Sequence, residues 1–481
     1  MLDLCVSRKN KVTLSDYEYE MDVHNRFLMS QFTPQDVEVL EEILYGSIQI
    51  PLVKLRKNLD LTDQELRKTL DKLAKSGLFK IENDSIIVDK EMRKYYDHQI
   101  LKFDEDFKPN MNYVQGILKK VPIHILPIWY SVPRSSNNIF SSMIERYFIT
   151  PQVYERYLLD LNLTEPIMAG IIEDLFASEN LELNSKEVQK KYEMTRDVFE
   201  EYMLHLEFNF VCFLNYVRVG DEYVEMITPS SEWRDLLLYK RRHVPKSIAP
   251  ANQIEKKSTE DFQFLKDMIY LLEEIVHSPI ALKPSATDQD FLFDAEVIKQ
   301  LVQGSKNATI NDSNLMSWQL YYSRLASRLV RLGLAIRHED MLCPHHQAPH
   351  WLNIEIEDKA LYLYRHPNNR TLKMGFDEKL DTEKNVKEVE KSLERIECDG
   401  WFLLSEFLKG SICCIGNNEP VALTKDGPDW CYKLPEYNEE ELEFMRYVIM
   451  QRLYEVGMVN VGYYKGEECF TLLPFGKDTL C

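Results

Sequence analysis

Candidate metal ligands are concentrated between residues 335 and 353, in the stretch AIRHEDMLCPHHQAPHWLN. These candidates are Cys343, His338, Asp340, His345, His346 and His350, with His366 farther along the chain. Zinc is usually held by four nitrogen or sulfur ligands that come from two close pairs. Cys343 and His345 could form one such pair, and His350 could supply a third ligand. The spacing C-x-H-H-x₃-H matches no established zinc signature. A structural zinc site and a pH-sensitive polar loop are therefore weighed against an ordinary exposed loop, which we favour.

A second group of candidates is a row of arginines in NLMSWQLYYSRLASRLVRLGLAIRHED. Arg324, Arg328 and Arg331 stand at i, i+4 and i+7, which places them on one face of a helix. A leucine follows each of them directly and predicts the face that packs on the core. Arg337 begins the strand beside this helix. Because the third helix of a helix-turn-helix enters the major groove, the row predicts DNA contact. The alternative is a solvated face that pairs with some of the 78 acidic residues.

Two further basic clusters are candidates for binding phosphate. The first cluster contains Lys54, Arg56, Lys57, Arg67, Lys68, Lys72 and Lys75. Acids at 63, 65 and 71 dilute its charge, so a solvated helix face is the competing interpretation. The second cluster contains Lys240, Arg241, Arg242, His243 and Lys246. This cluster could bind phosphate or serve as an address signal, and a solubilising linker is the interpretation that we favour.

Residue patterns typical of catalysis are missing from the sequence. No G-x-S-x-G and no G-x-x-x-x-G-K-[ST] occurs. Cys413 and Cys414 lie in the apolar run GSICCIG, where burial favours unreactive thiols. We therefore expect a protein that is not an enzyme and that carries no cofactor, unless the histidine-rich loop holds a structural zinc.

The elements that would position these residues form a repeated pattern of helix, helix, turn, helix and hairpin. The first copy runs from FTPQDVEVLEEILYG to LFKIENDSIIVD, with apolar residues at helical spacing. Within it, Thr62 and Glu65 predict a capping box, and Asn83-Asp84 predicts a hairpin turn. The second copy runs from LTEPIMAGIIEDLF, with Thr164 as N-cap, to the hairpin FVCFLNYVRVGDEYVEMI.

The third and fourth copies follow the same order. The third begins at FLKDMIYLLEEIV and ends at WLNIEIEDKALYLYRH, which we predict to be its second wing strand, so that the histidines lie at the tip of the wing. The fourth is clearest from Asn438, a predicted N-cap, through the helix that Gly457 ends, to the strands on either side of KGEE.

This order of elements is that of a winged helix, a helix-turn-helix followed by a β-wing. The copies resemble tandem winged-helix domains. The last of them, YEVGMVNVGYYKGEECFTLLPFGKDTL, is similar to the winged-helix modules of bacterial XPB-type helicase-associated proteins. The likeness covers four segments of the chain. Because no ATPase motif accompanies it, the resemblance implies an accessory protein and not a motor.

We therefore predict a mainly α chain with small β-wings, an α+β tandem array of winged-helix domains. The predicted segments are 1–31, an N-terminal extension; 32–100, winged helix 1; 101–160, a connecting segment that packs; 161–240, winged helix 2; 241–260, a basic linker; 261–370, winged helix 3; and 371–481, an acidic winged-helix-like domain 4.

The net charge of −20 restricts the partners of the chain. Non-specific nucleic-acid binders are usually basic, so any contact with phosphate must come from a local patch. Residues 377–481 carry 22 acids and 12 bases, about half of the net charge, and are the least suited to such a contact. No apolar run is long enough to span a membrane, and MLDLCVSRKN lacks a signal core. Nine scattered cysteines fit reduced thiols, so we expect a cytoplasmic protein.

Two functional hypotheses follow from these features. The first is a DNA-associated accessory or regulatory factor in transcription, repair or chromosome maintenance, which the arginine row supports. The second is an acidic winged-helix scaffold that binds protein partners in a larger assembly and makes no direct contact with DNA. The first predicts DNA binding that weakens steeply with salt, and the second does not.

Overall fold

The fold is mixed α and β, mainly helical, with small antiparallel sheets of two to four strands. The computed structural model describes residues 12–133, 138–161, 163, 165–249, 251–258, 260–284, 291–305, 314–372 and 375–480. Among the described helices, none combines the length and the apolar composition that crossing a bilayer requires. The seven described cysteines are all unpaired thiols.

The described chain divides into two compact units. One consists of Met1–Tyr239 with Val421–Lys433, and the other consists of Lys240–Pro420 with Leu434–Cys481. The predicted fourth domain, residues 371–481, is therefore interrupted. Its hairpin of β12 (Leu423–Asp426) and β13 (Asp429–Tyr432) belongs to the first unit, where the Tyr432 hydroxyl donates a hydrogen bond to the carbonyl of Phe148.

The first unit begins with a helix and then the first repeated segment. Its elements are α1 (Tyr19–Met29), α2 (Pro34–Tyr45), β1 (Gln49–Pro51), α3 (Leu52–Leu59), α4 (Asp63–Leu73), β2 (Phe79–Glu82), β3 (Ser85–Val88) and α5 (Lys90–Gln99). The sheet order is β1-β3-β2. The predicted capping box of Thr62 and Glu65 is confirmed at the start of α4. The predicted turn is confirmed too, since Asn83 and Asp84 adopt φ values of 47° and 55°.

The segment between the first and second repeats packs, as its apolar composition predicts. Its helices are α6 (Met111–Leu118), α7 (Leu126–Trp129), α8 (Ile139–Met143), which continues as a π-helix (Ile144–Phe148), and α9 (Pro151–Asp160). Trp129, Tyr130 and Tyr154 are completely buried. The Tyr130 hydroxyl donates to the Phe208 carbonyl and the Tyr154 hydroxyl donates to the Phe210 carbonyl, so these aromatic residues join the segment to the second repeat.

The second repeat has the same element order as the first. Its elements are α10 (Pro166–Ala177), β4 (Leu183–Asn184), α11 (Ser185–Lys191), α12 (Arg196–Phe208), β5 (Phe213–Val219), β6 (Glu222–Thr228) and then α13 (Ser231–Arg242). The sheet order is β4-β6-β5. The predicted N-cap Thr164 lies outside the described residues. Arg241 and Arg242, predicted to lie in a linker, instead form the end of α13.

Buried ion pairs join α1 to the second repeat. Arg26 donates from Nε to Glu200 at 2.6 Å and from Nη1 to Glu207 at 2.7 Å, and all three side chains are at most 1% exposed. Burial disfavours the charged form of Glu207, but Arg26 and Lys102 outweigh it and lower the pKa of Glu207 to about 2. Because removal of one partner would leave a buried charge uncompensated, these contacts hold α1 in place.

In the second unit, the short strand β7 (Ile254–Lys256) precedes the third repeat. The elements of the third repeat are α14 (Gln263–His277), β8 (Ile280–Ala281), α15 (Ala295–Gly304), α16 (Leu315–Arg331), β9 (Ala335–His338), β10 (Met341–Pro344), α17 (Ala348–Leu352) and α18 (Ile356–Arg365). The sheet order is β8-β10-β9.

The second wing strand of the third repeat was predicted in the wrong place. WLNIEIEDKALYLYRH forms the end of α17 and all of α18, and β10 is the strand that pairs with β9. Ala360 and Leu363 are completely buried three residues apart, which is helical spacing. The hairpin closes earlier, at Glu339, which adopts a positive φ of 52°. His338 therefore lies at the turn of the hairpin, whereas His345, His346 and His350 follow its second strand.

The fourth repeat completes the second unit. Its elements are α19 (Glu383–Lys391), β11 (Phe402–Leu403), α20 (Leu404–Lys409), α21 (Glu439–Tyr447), which continues as a π-helix (Val448–Leu453), β14 (Val459–Tyr464), β15 (Glu467–Leu472) and α22 (Pro474–Leu480). The sheet order is β11-β15-β14-β7. Asn438 forms a capping box with Glu441, as predicted for an N-cap. Residues 254–256, predicted as part of the exposed linker 241–260, instead form the edge strand β7, because Ile254 is buried and pairs with Tyr464.

Short 3₁₀ turns complete the inventory at Leu14–Asp16, Ala74–Ser76, Ile100–Phe103, Ala251–Gln253, Pro367–Asn369 and Ser392–Arg395. In each of the four repeats a helix, a strand and two helices precede a hairpin, and the first strand pairs with the last. The first and second repeats have separate apolar clusters, whereas the third and fourth share one. Each fully buried leucine in these clusters contributes about 2 kcal/mol.

Candidate nucleic-acid interface

Arg328, the centre of the predicted arginine row, belongs to the core of the second unit. Its side chain is 5% exposed and lies 2.6 Å from Glu455 through Nη2. Nε donates to the same carboxylate at 2.7 Å, and Nη1 donates to Oδ1 of Asn369 at 2.7 Å. Because it is buried and paired in this way, Arg328 is not accessible to a phosphate. Its assignment to a DNA-binding face is wrong.

The arginines on either side of Arg328 are half-buried on the same face of α16. Burial, followed by the charge of Arg328, lowers the pKa of Arg331. Burial and the charge of Arg324 lower the pKa of Lys257. The row therefore faces other residues of the second unit. The exposed side chains of α16 are those of Ser317 and of two apolar residues, Met316 at 69% and Leu320 at 58%.

Arg337 lies in β9 and is held by the turn that follows it. Its Nε donates to the carbonyl of Glu339 at 3.1 Å, its Nη2 lies 4.0 Å from Asp340, and its side chain is 13% exposed. Arg337 therefore stabilises the hairpin of the third repeat. None of the four arginines predicted there stands on an open basic surface.

Helix α4 of the first repeat presents a different surface. Its inner face buries Leu66, Leu70 and Leu73, whereas Arg67 and Lys68 are exposed on its outer side. Lys75 is exposed in the 3₁₀ turn that follows the helix. Lys72 differs from these three bases, because its ammonium group pairs with Asp36 and donates to the carbonyl of Gln31. Lys68 and Lys75 are thus available to a partner, and Lys72 serves as a structural contact.

Exposed lysines also lie on the elements that precede and follow α4 in the sequence. Lys54 and Lys57 on α3 are exposed, as is Lys80 on β2, a residue that was not part of the predicted cluster. Arg56 is exposed as well, although it pairs with Asp63 at 2.7 Å. Between positions 54 and 80 the sequence has eight bases and four acids, in a chain with a net charge of −20. We call Lys54, Lys57, Arg67, Lys68, Lys75 and Lys80 the α4 surface.

The second basic cluster begins in the last turn of helix α13. Arg241 and Arg242 lie in the last turn of α13 and are exposed. Cations in the last turn of a helix interact favourably with the partial negative charge at its C-terminus, so a structural reason for their position exists.

The histidine-rich stretch does not assemble a metal site. Among the described residues, no group of three or more His, Cys, Asp or Glu side chains is close enough to hold a metal ion. Cys343 lies in β10, His345 follows that strand, and His350 lies on the short helix α17. The rings of His345 and His346 contact each other with centroids 4.0 Å apart. The elements thus separate the ligands that were proposed from spacing alone.

Comparisons with known proteins give no relative for this chain: no family model, no curated protein and no solved structure matches it. Function is therefore inferred from the repeated topology and from the distribution of charge.

Proposed function

We propose that this chain is a non-enzymatic protein of four tandem winged-helix modules that associates with DNA through the first of them. Support for the modules comes from their common order: helix, strand, two helices and a hairpin, with the first strand paired to the last. In a winged helix, the third helix enters the major groove and the hairpin contacts the phosphate backbone. The repeat whose third helix and flanking elements offer exposed lysines and arginines is therefore the one to consider for DNA.

The α4 surface is the observation that carries the proposal. The third helices of the other repeats have outer faces of a different character. On α12, the exposed side chains include Asp197 and Val198, and on α16 they include Met316 and Leu320. Helix α21 begins with a run of three glutamates. Phosphate contacts need Lys or Arg, so the first repeat is the module best suited to bind a duplex.

The geometry of α4 also fits this role. The capping box fixes the first turn of the helix, and the leucines of its inner face anchor it on the first apolar cluster. Lys80 lies on the hairpin that follows, the element that meets phosphates in winged helices. A duplex lying on this surface would contact lysine and arginine side chains from α3, α4, the turn after α4, and β2. In this proposal the second unit does not touch the DNA.

The proposal is tested by fluorescence anisotropy of the full chain with a labelled duplex of mixed sequence at low salt. We expect micromolar or tighter binding, and at least about a tenfold loss for Arg67→Glu/Lys68→Glu/Lys75→Glu. The matched control is Lys379→Glu/Lys384→Glu/Lys391→Glu, which changes the net charge equally at exposed lysines of the second unit. Equal losses in the two variants, or no binding by the wild-type chain, would contradict the proposal.

A protein-interaction scaffold is the second candidate function. The well-exposed Met316 and Leu320 on α16 support it, because contiguous exposed apolar side chains on a helix favour contact with another protein. The acidic composition of residues 377–481 supports it too. The scaffold function predicts that the chain does not bind duplex DNA even at low salt. The anisotropy experiment therefore also decides between the scaffold function and the DNA-binding function.

A further inference from the structure

A cationic groove lies in the second unit and uses none of the elements proposed to bind DNA. It encloses about 300 Å³ between the end of α18, the segment that follows it, α19 and the π-helix of the fourth repeat. Its lining residues are Tyr364, Arg365, Arg370, Glu383, Val386, Lys387, Glu390 and Arg452. Four of these side chains are cations and two are carboxylates.

Both carboxylates of the groove are already engaged by its own cations. Glu383 lies 2.8 Å from Lys387 and 3.3 Å from Arg370. Glu390 lies 3.1 Å from Nε of the buried Arg452 and accepts a hydrogen bond from the Tyr364 hydroxyl at 2.8 Å. The groove therefore has two more positive charges than negative ones.

Arg365 has no such partner. It is exposed at the end of α18, and in the described part of the chain its guanidinium makes no hydrogen bond or ion pair. The guanidinium of Arg370 is only partly paired, because Nη1 alone contacts Glu383 and the side chain is 50% exposed. An anion between these two arginines would find planar donors that are not otherwise used.

We infer that this groove binds a phosphate group, through the guanidinium groups of Arg365 and Arg370 with Lys387 beside them. Arginine forks match phosphate oxygens with paired hydrogen bonds, and a lysine adds a point charge. A phosphate monoester carries close to two negative charges at neutral pH, which equals the excess positive charge of the groove. A volume of about 300 Å³ lies at the lower end of small-molecule sites and leaves room for a small group esterified to the phosphate.

Neighbouring interactions keep the groove in shape without occupying it. Arg452 stacks over the Tyr364 ring at 5.4 Å and donates to the carbonyl of Asn369, so it fixes the floor of the groove. Val386 supplies an apolar wall. This site is independent of the proposed DNA contact, because it lies in the other unit and uses none of the residues of the α4 surface.

The inference is tested by calorimetric titration of the full chain with inorganic pyrophosphate at low ionic strength. We expect saturable binding at one site, and at least about a tenfold loss of affinity in Arg365→Gln/Arg370→Gln. The matched control is Lys384→Gln/Lys391→Gln, which removes the same charge from exposed positions on α19 that do not line the groove. Thermal unfolding of each variant establishes that it is folded.

Three outcomes would overturn the inference. These are no binding by the wild-type chain, unchanged affinity in the arginine variant, and an equal loss in the lysine control. The source of the phosphate is then distinguished with duplex DNA, added to the Arg67→Glu/Lys68→Glu/Lys75→Glu chain. If DNA displaces pyrophosphate, the groove receives the phosphodiester backbone. If it does not, the groove receives a free phosphate compound.

Discussion

At the scale of single residues, Arg328 shows what helical spacing can and cannot indicate. The spacing correctly places Arg324, Arg328 and Arg331 on one face of α16. It does not reveal that this face packs against the fourth repeat, where Glu455 lies 127 positions away. An arginine row on a solvated helix and one that meets a buried carboxylate look alike in sequence. Only the tertiary partner distinguishes the two.

Arg328 is predicted to be a stability determinant. Arg328→Ala leaves the carboxylate of Glu455, which is 2% exposed, without its cation. We expect a loss of about 3–5 kcal/mol in the free energy of unfolding, measured by urea denaturation. The control Arg324→Ala removes a half-buried arginine of the same row, and we expect a change below about 1 kcal/mol. Similar small effects for both would show that the buried pair does not stabilise the fold.

A buried carboxyl in the first unit predicts a pH dependence. Burial raises the pKa of Glu232 from its ordinary value near 4.5 to about 7, although the backbone N–H of Met111 donates to it at 2.7 Å. Between pH 4.5 and about 7, the Glu232 carboxyl therefore keeps its proton in the folded chain and has lost it in the unfolded chain. The contribution of this group to stability is complete below pH 4.5 and disappears as the pH rises to about 7.

The Glu232→Gln variant isolates this contribution. An amide keeps an oxygen for the N–H of Met111 and carries no charge, so we expect the variant to be more stable than the wild-type chain by about 2–3 kcal/mol at pH 8. At pH 4 the two chains should be equally stable. Thermal unfolding followed across this pH range measures the difference. A stability difference that does not change with pH would contradict the assigned protonation.

At the scale of elements, local signals predict much of the fold. The capping residues Thr62 and Asn438 mark helix starts that the structure confirms, because a cap depends on neighbours within four positions. The hairpin turn at Asn83 is local in the same sense. Strand β7 depends on pairing with β14, about 200 residues away, so its three residues resemble a polar linker in sequence. The groove at Arg365 is hidden in the sequence for the same reason, because its lining residues come from α18, α19 and the π-helix, which are separated along the chain.

The cap of the proposed DNA-binding helix gives a prediction with an internal control. Thr62 accepts from the N–H of Glu65, whereas Thr195, at the same position in the second repeat, makes no capping bond through its side chain. Thr62→Ala should cost about 1 kcal/mol and Thr195→Ala much less. The free energies of unfolding from urea titrations compare them. Equal costs would mean that the capping box contributes little to α4.

At the scale of the whole molecule, the distribution of charge organises the proposed function. The chain has a net charge of −20, yet the stretch from 54 to 80 has twice as many bases as acids. A duplex is repelled by most of such a surface and attracted by one patch, which restricts the orientation in which it can approach. This charge pattern is readable from sequence. The choice among the basic clusters is not, because it depends on which bases are buried or paired.

The most direct test of this account is the salt dependence of DNA binding by the wild-type chain and by Arg67→Gln/Lys68→Gln/Lys75→Gln, measured side by side. Each phosphate contact contributes about −0.9 to the slope of log Kobs against log salt. If the α4 surface holds the duplex, the slope of the variant will be shallower by about 2 to 3. Identical slopes, or no binding by the wild-type chain at about 50 mM salt, would contradict the assignment of the first repeat as a DNA-binding module.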